Sequence, residues 1–250
     1  MNHNYLKISA ICVTLNRPQL TEAIKDFWSQ THKSSELIIV RQNKFGPFST
    51  EILDMLVKDE RISVVIGDDS ATLGELRNLA LQHCTGDYLM QWDDDDRYTH
   101  LRMERQLAHH LEMPDPENKA SFIDNFLLYH IKNETLHWIN RGGWGKPGSI
   151  LFGKECPVSY PQLSKGEDQE AMEYLRRKKL CKTVFPGIVY LRRFHDGNTW
   201  DQSHFEGLVK GSFSEPMICS YYPEICKVAK HLGVPEGTTL CDANGEVGAT

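Results

Sequence analysis

A chain of 250 residues with 40% hydrophobic and 25% charged residues has the balance of a globular protein that buries a substantial core. No apolar run approaches the roughly 18 residues of a membrane span, and Met1-Asn2-His3-Asn4-Tyr5 lacks the basic and apolar segments of a secretory signal, so cytoplasmic residence is the expectation. A net charge of −6 argues against a nucleic-acid partner, which demands a basic face.

Ile8 to Leu15 is an apolar run ended by Asn16-Arg17-Pro18, the pattern of a buried strand meeting a loop. Leu20, Ala23, Ile24, Phe27 and Trp28 then fall on one stripe of a helix. Leu37 to Val40 predicts a second buried strand, Ile52, Leu53 and Leu56 a short helix, and Ile62 to Ile66 a third strand. Thr72 with Glu75 predicts a capping box opening a helix whose inner face carries Leu76, Leu79 and Ala80. A fourth strand, Tyr88 to Trp92, runs into Asp93-Asp94-Asp95-Asp96. Strands alternating with helices indicate an α/β fold with a mainly parallel sheet covered on both faces.

Further along, Phe122 to Lys132 and Thr135 to Asn140 read as a hairpin through Asn133-Glu134. A glycine-rich stretch, Gly142 to Gly148, precedes a short strand from Ser149 to Phe152, a helix from about 167 to 178, and strands near Lys182 and Val189. Residues 201–250 are polar, carry three prolines, and read as a C-terminal extension of one domain spanning 1–200. The seven cysteines include no Cys-x-x-Cys and are expected to be reduced and structural.

Four consecutive aspartates at the end of an apolar strand carry the most chemistry. Adjacent carboxylates repel by about 1 kcal/mol per pair at 4 Å in water, and more where water is partly excluded. A hard divalent cation, Mg²⁺ or Mn²⁺, relieves that repulsion through carboxylate oxygens. The position is also where open α/β sheets bind ligands, at the carboxyl ends of their strands. A solvated acidic turn is the plain alternative.

The succession of Thr14-Leu15-Asn16-Arg17-Pro18, two βα units, Arg77-Asn78, Gly86-Asp87-Tyr88 and Trp92 to Asp96 resembles the family 2 glycosyltransferases of GT-A fold. The resemblance covers about residues 6 to 200, with a nucleotide-sugar half (about 6–98) and an acceptor half (99–200). It implies a Rossmann-like GT-A sheet and transfer of a sugar from a nucleotide-diphosphate donor to a glycan or lipid-linked glycan hydroxyl, as in bacterial surface-polysaccharide synthesis. It assigns Asp95 as the metal carboxylate, with Asp93 close by, and Thr14, Asn16, Arg17, Arg77, Asp93 and Asp94 to the donor. Gly166-Glu167-Asp168 stands where the family carries its acceptor-side acids, so Asp168 is implied as the general base.

His195-Asp196-Gly197-Asn198-Thr199-Trp200 resembles a segment following the last core strands of bacterial members. It implies His195 as a further metal ligand, which favours Mn²⁺, and Asn198 near the acceptor. Trp144, in the glycine-rich stretch, is implied as a sugar-stacking or lid residue, beside Glu167. One departure is plain: where relatives carry an acidic pair after the second strand, this chain reads Arg41-Gln42-Asn43-Lys44.

The implied chemistry is a metal-assisted, inverting displacement at the anomeric carbon. A nucleotidyltransferase on a related fold and a non-catalytic sugar-nucleotide-binding protein remain the alternatives; the first usually opens with a glycine-rich loop that Leu15-Asn16-Arg17-Pro18 does not provide. Arg176-Arg177-Lys178-Lys179 and Arg192-Arg193 suggest peripheral contact with the inner membrane face. Cations closing a helix explain the first group equally well.

Overall fold

The computed structural model describes residues 5–195, 202–211, 217–242 and 245–249. Three βα units open the chain: β1 (Ile8–Thr14), α1 (Leu20–Ser29), β2 (Ser35–Gln42), α2 (Thr50–Leu56), β3 (Ile62–Gly67), α3 (Leu73–Gln82) and then β4 (Tyr88–Gln91). The apolar stripe of α1 is used as the sequence predicts, with Leu20, Ala23, Ile24 and Phe27 fully buried. Each large apolar side chain so buried contributes about 1.5–3 kcal/mol. The Thr72–Glu75 capping box forms in both directions and starts α3.

β1 pairs in parallel with β2 on one side and β4 on the other, and β2 carries β3 beyond it. The chain therefore travels outward from β1 to β3 and returns to the opposite side of β1. That reversal leaves a crevice at the carboxyl ends of β1 and β4, the position where sheets of this kind take ligands.

The next segments complete two sheets: β5 (Arg97–Tyr98), α4 (Arg102–Leu111), β6 (Ala120–Ile123), β7 (Asn125–His130), β8 (Thr135–Asn140), β9 (Leu151–Gly153), α5 (Glu167–Arg177), β10 (Cys181–Val184) and β11 (Tyr190–Phe194). The first sheet runs β10-β6-β9-β4-β1-β2-β3, with β9 antiparallel to both β4 and β6. The second runs β13-β12-β8-β7-β11-β5, where β12 (Thr239–Asp242) and β13 (Gly245–Ala249) come from the chain's end. Helices α6 (Gln202–Lys210) and α7 (Met217–His231) precede them, and Ile225, Ala229 and Leu232 pack on Leu127, Leu136 and Leu191 of the second sheet.

Three sequence expectations need correcting. The run Phe122 to Lys132 is two strands in different sheets, broken at Asp124; β7 alone pairs antiparallel with β8. The hydrophobic run continues across the break because both strands are fully buried, so periodicity cannot register it. Helix α4 has no counterpart in the sequence reading, because three of its five buried side chains are Arg102, Gln106 and His110. Those polar groups interrupt the apolar stripe that announces a helix. Finally, residues after 201 supply two helices and two strands where only a polar extension was expected.

The six cysteines whose side chains are described are free thiols, as expected. Among the described residues no helix is long and apolar enough to cross a membrane.

Candidate active site

The loop after β4 is set from below by aromatic packing. Trp92, Tyr98 and Tyr190 are fully buried, and the Arg102 guanidinium lies over all three rings while donating to Gln91 O at 2.8 Å. The Tyr98 hydroxyl accepts from the Asp93 backbone N–H (2.8 Å), which holds the chain as it leaves the strand.

From this base the four aspartates diverge. Asp96 turns into the core, where it accepts from the Tyr190 hydroxyl and the Arg193 backbone N–H, with Lys146 Nζ 3.8 Å away. Burial raises its pKa and Lys146 opposes the rise. Asp94, 3% exposed, accepts from Thr14 Oγ1 at 2.5 Å, so the ends of β1 and β4 are tied across the crevice. Arg17 Nη1 reaches both Asp94 (3.3 Å) and Asp95 (2.8 Å). Burial, and then the charge of Asp95, push Asp94 up to about 7. Asp95 feels the same burial, but the His195 hydrogen bond and the Arg17 charge outweigh it and hold Asp95 below its ordinary value.

Asp93 joins a second group. Arg77, 5% exposed, bridges Asp93 Oδ1 (3.1 Å) and Glu167 Oε1 (2.8 Å), and Gln91 Nε2 also donates to Asp93. Burial pushes the Glu167 carboxyl up and Arg77 pulls it down; the short contact and the raised pKa of Arg77 mark an ion pair. Arg77 Nη1 is buried without a hydrogen-bond partner among the described residues. Glu167 opens α5, whose preceding residue Gly166 has φ 78°, a left-handed conformation that suits glycine.

These groups surround a cavity of about 350 Å³ lined by Arg17, Arg77, Asp93, Asp94, Asp95, Lys146, Glu167, Asp168 and Arg192 among others. Asp168 thus lies in the same cleft as the aspartate loop. Of the donor residues expected from sequence, Arg17, Arg77, Asp93 and Asp94 line the cavity, while Thr14 and Asn16 do not. Asn16 Nδ2 donates to Phe45 O (3.1 Å) and Pro47 O (2.8 Å), pinning the turn after β2.

His195 Nε2 lies 3.5 Å from Asp95 Oδ2. Trp144 is 53% exposed, lies against the Arg176 guanidinium (4.8 Å) and is absent from the cavity lining. Asn198 falls outside the described residues. The cationic runs are partly occupied as well: Arg176 donates to the carbonyls of Gly143 and Trp144, Arg192 lines the cavity, and Arg193 Nε donates to Asp95 O at 2.7 Å.

Sequence reasoning did not single out Lys146 or Tyr190, and it gave Asp96 and Arg192 no place in the cleft. No local pattern gives these roles, since Asp96 meets Tyr190 and Lys146 only across the fold.

The donor set at Asp95 and His195 suits a cation that takes mixed oxygen and nitrogen ligands. No group of three His, Cys, Asp or Glu side chains able to hold a metal occurs among the described residues. Two protein ligands still match a Mg²⁺-type site, where substrate phosphates and water complete the shell. Arg17, 2.8 Å from the same Asp95 oxygen, competes with such a cation.

The family model described as glycosyl transferase family 2 matches residues 9–152. The chain belongs to glycosyl transferase family 2. This family member is 25% identical over 165 residues to an uncharacterized glycosyltransferase of Rickettsia bellii, covering 63% of the chain and 22% of that relative. It is 33% identical over 110 residues to the putative colanic acid biosynthesis glycosyl transferase WcaA of Escherichia coli K12, covering 44% of the chain and 39% of WcaA. The chain thus spans well under half the length of these relatives. In structure it resembles S. aureus TarS 1-349, solved in complex with UDP-GlcNAc, at a TM-score of 0.55 and 14% identity over 82% of this chain and 65% of that one. Its fold is the mixed, mainly parallel GT-A sheet flanked by helices.

Proposed function

We propose that this chain transfers a sugar from a nucleoside diphosphate donor to an acceptor hydroxyl with inversion at the anomeric carbon. One observation carries the reading: Asp168 lines the same cavity as Asp93, Asp94 and Asp95. A base for the acceptor and a cradle for the leaving group thereby share one cleft. The complex of TarS with UDP-GlcNAc supports a nucleotide-sugar donor, and the name of WcaA supports a growing polysaccharide as acceptor.

The acceptor oxygen forms its bond to the sugar's C1 as the bond from C1 to the diphosphate oxygen breaks. Asp168 takes the hydroxyl proton during the attack, a contribution of typically 10²–10⁴-fold. Arg77 positions Glu167, and with it the first turn of α5 that carries Asp168. Its unpartnered Nη1 is a buried donor available to a donor oxygen, and such a donor is satisfied when the ligand binds. Asp95 and His195 would hold Mg²⁺ or Mn²⁺, which supplies Lewis acidity toward the leaving diphosphate when bound.

The test is to incubate the protein with a panel of sugar nucleotides, with and without Mn²⁺, and follow free nucleoside diphosphate alongside thermal stability. Donor-dependent stabilisation together with diphosphate release is expected. Stabilisation without release under every acceptor condition would favour a binding protein. Absence of both would reject the reading.

A further inference from the structure

Several of the cations along the cavity wall are committed. Arg17 is held by Asp94 and Asp95, Arg77 by Asp93 and Glu167, and the charges of Lys146 and Arg192 both bear on Asp96. Arg141, which follows β8, is not. It lines the same cavity and is half-buried, and its guanidinium makes no hydrogen bond or ion pair among the described residues.

Asp124 is the acid beside it, but that carboxylate is already tied to the glycine-rich loop. Its Oδ1 accepts from the N–H groups of Gly143 (2.9 Å) and Gly145 (3.1 Å), and its Oδ2 from that of Gly143 (2.9 Å). A second cation, Arg176, adjoins the same group. Its Nη2 donates to Gly143 O (2.9 Å), and its Nε is buried without a partner among the described residues. Burial lowers the Arg141 pKa, the charge of Asp124 opposes this, and Arg176 lowers it further. Two guanidiniums thus share one engaged carboxylate where water is partly excluded. Like charges so placed repel more than they do in bulk water, and a buried donor left unpaired is costly. An arriving anion relieves both.

We propose that Arg141, with Arg176 beside it, forms a subsite for an anionic group on the acceptor, a sugar carboxylate or phosphate. A guanidinium fork takes either anion through paired, charge-assisted hydrogen bonds. Asp168 lines the same cavity, so an acidic glycan anchored at Arg141 lies in the cleft that holds the proposed base. The inference rests on the glycosyl-transfer reading above and adds the charge class of the acceptor to it.

Calorimetric titration tests it on the wild-type protein saturated with the nucleoside diphosphate it binds best. The probes are the methyl glycosides of glucose and galactose, of their uronic acids, and of their 6-phosphates. In at least one configuration an acidic glycoside should bind about tenfold or more tighter than its neutral counterpart, and the two acidic arms tell carboxylate from phosphate. Arg141→Gln, checked for folding by thermal melt, should lose this preference while keeping nucleoside diphosphate affinity. Arg141→Lys, which keeps the charge without the fork, should retain part of it. Equal binding of acidic and neutral glycosides, binding of neither, or a preference that survives in Arg141→Gln would overturn the subsite. Failure of Arg141→Gln to fold would give Arg141 a structural role and overturn it equally. A preference for UDP-glucuronate over UDP-glucose that disappears in Arg141→Gln would move the anion to the donor sugar, against the acceptor assignment. If no nucleoside diphosphate binds, the donor reading fails by itself, and the same glycosides titrated on the free protein and on Arg141→Gln still decide the subsite.

Discussion

Arg77 and Glu167 stand 90 positions apart in sequence and 2.8 Å apart in space, and the same guanidinium continues to Asp93. This bridge is what brings the first turn of α5 to the aspartate loop. Glu167, 2% exposed, could not be buried here alone, because a charge removed from water is costly unless paired. The ion pair therefore sets the geometry of the cleft as much as its stability.

Removing the arginine tests that role. Arg77→Met should lower unfolding free energy by about 3–5 kcal/mol, the cost of leaving a buried partner charge uncompensated. Urea denaturation reads it directly. Arg77→Met combined with Glu167→Gln should recover part of the loss, since the second change removes the stranded charge. A single-variant loss below about 1 kcal/mol would mean the bridge is idle.

As the proposed acceptor base, Asp168 should bear on turnover rather than on folding. It is partly exposed, and its Oδ1 accepts only the adjacent Gln169 backbone N–H among the described residues. Asp168→Asn should cut kcat by about 10²-fold or more with donor affinity nearly unchanged. Transfer kinetics paired with donor titration separate the two effects, and near-normal kcat would remove Asp168 from the chemistry.

Gly148 lines the cavity where a side chain has no room. A Cβ there would lie 2.8 Å from Lys146 Nζ, 2.9 Å from Asp93 Oδ2 and 3.2 Å from Gln91 Nε2. Gly148→Ala should shift these polar groups and weaken donor binding by about tenfold, with a stability loss of about 1–3 kcal/mol from overpacking. Wild-type donor affinity in this variant would place the donor elsewhere.

The buried imidazole of His110 makes stability depend on pH. Its Nε2 donates to Pro116 O (2.9 Å), so Nδ1 is left to accept from Ser121 Oγ (2.9 Å). Burial, partly offset by the Pro116 bond, lowers its pKa to about 4. The folded state therefore holds the ring neutral while the unfolded chain takes a proton below about 6.5. Stability from this group is complete above 6.5 and falls as pH drops toward 4, by about 1.4 kcal/mol per pH unit. His137 is lowered to about 4 by burial and by His130, and adds a slope of the same sign. Denaturation between pH 4 and 7 should show this slope reduced in His110→Leu; an unchanged slope would assign it to other groups.

The sequence by itself determined the alternation of strands and helices up to Gln91, the capping box at Thr72 and the acidic loop at the end of β4. Those signals are local: a buried strand or an amphipathic helix announces itself by the spacing of its own apolar residues. Tertiary structure alone decided that Asp96 serves the core while Asp93, Asp94 and Asp95 face the cleft, for four identical residues carry no internal distinction. It also decided α4, whose buried Arg102, Gln106 and His110 look like surface until Gln91 O, Ser149 O and Ser121 Oγ meet them. The break at Asp124 and the place of Lys146 beside Asp96 belong to the same class. Each depends on a partner distant in the chain, and hydrogen bonds made across two sheets leave no period in the sequence.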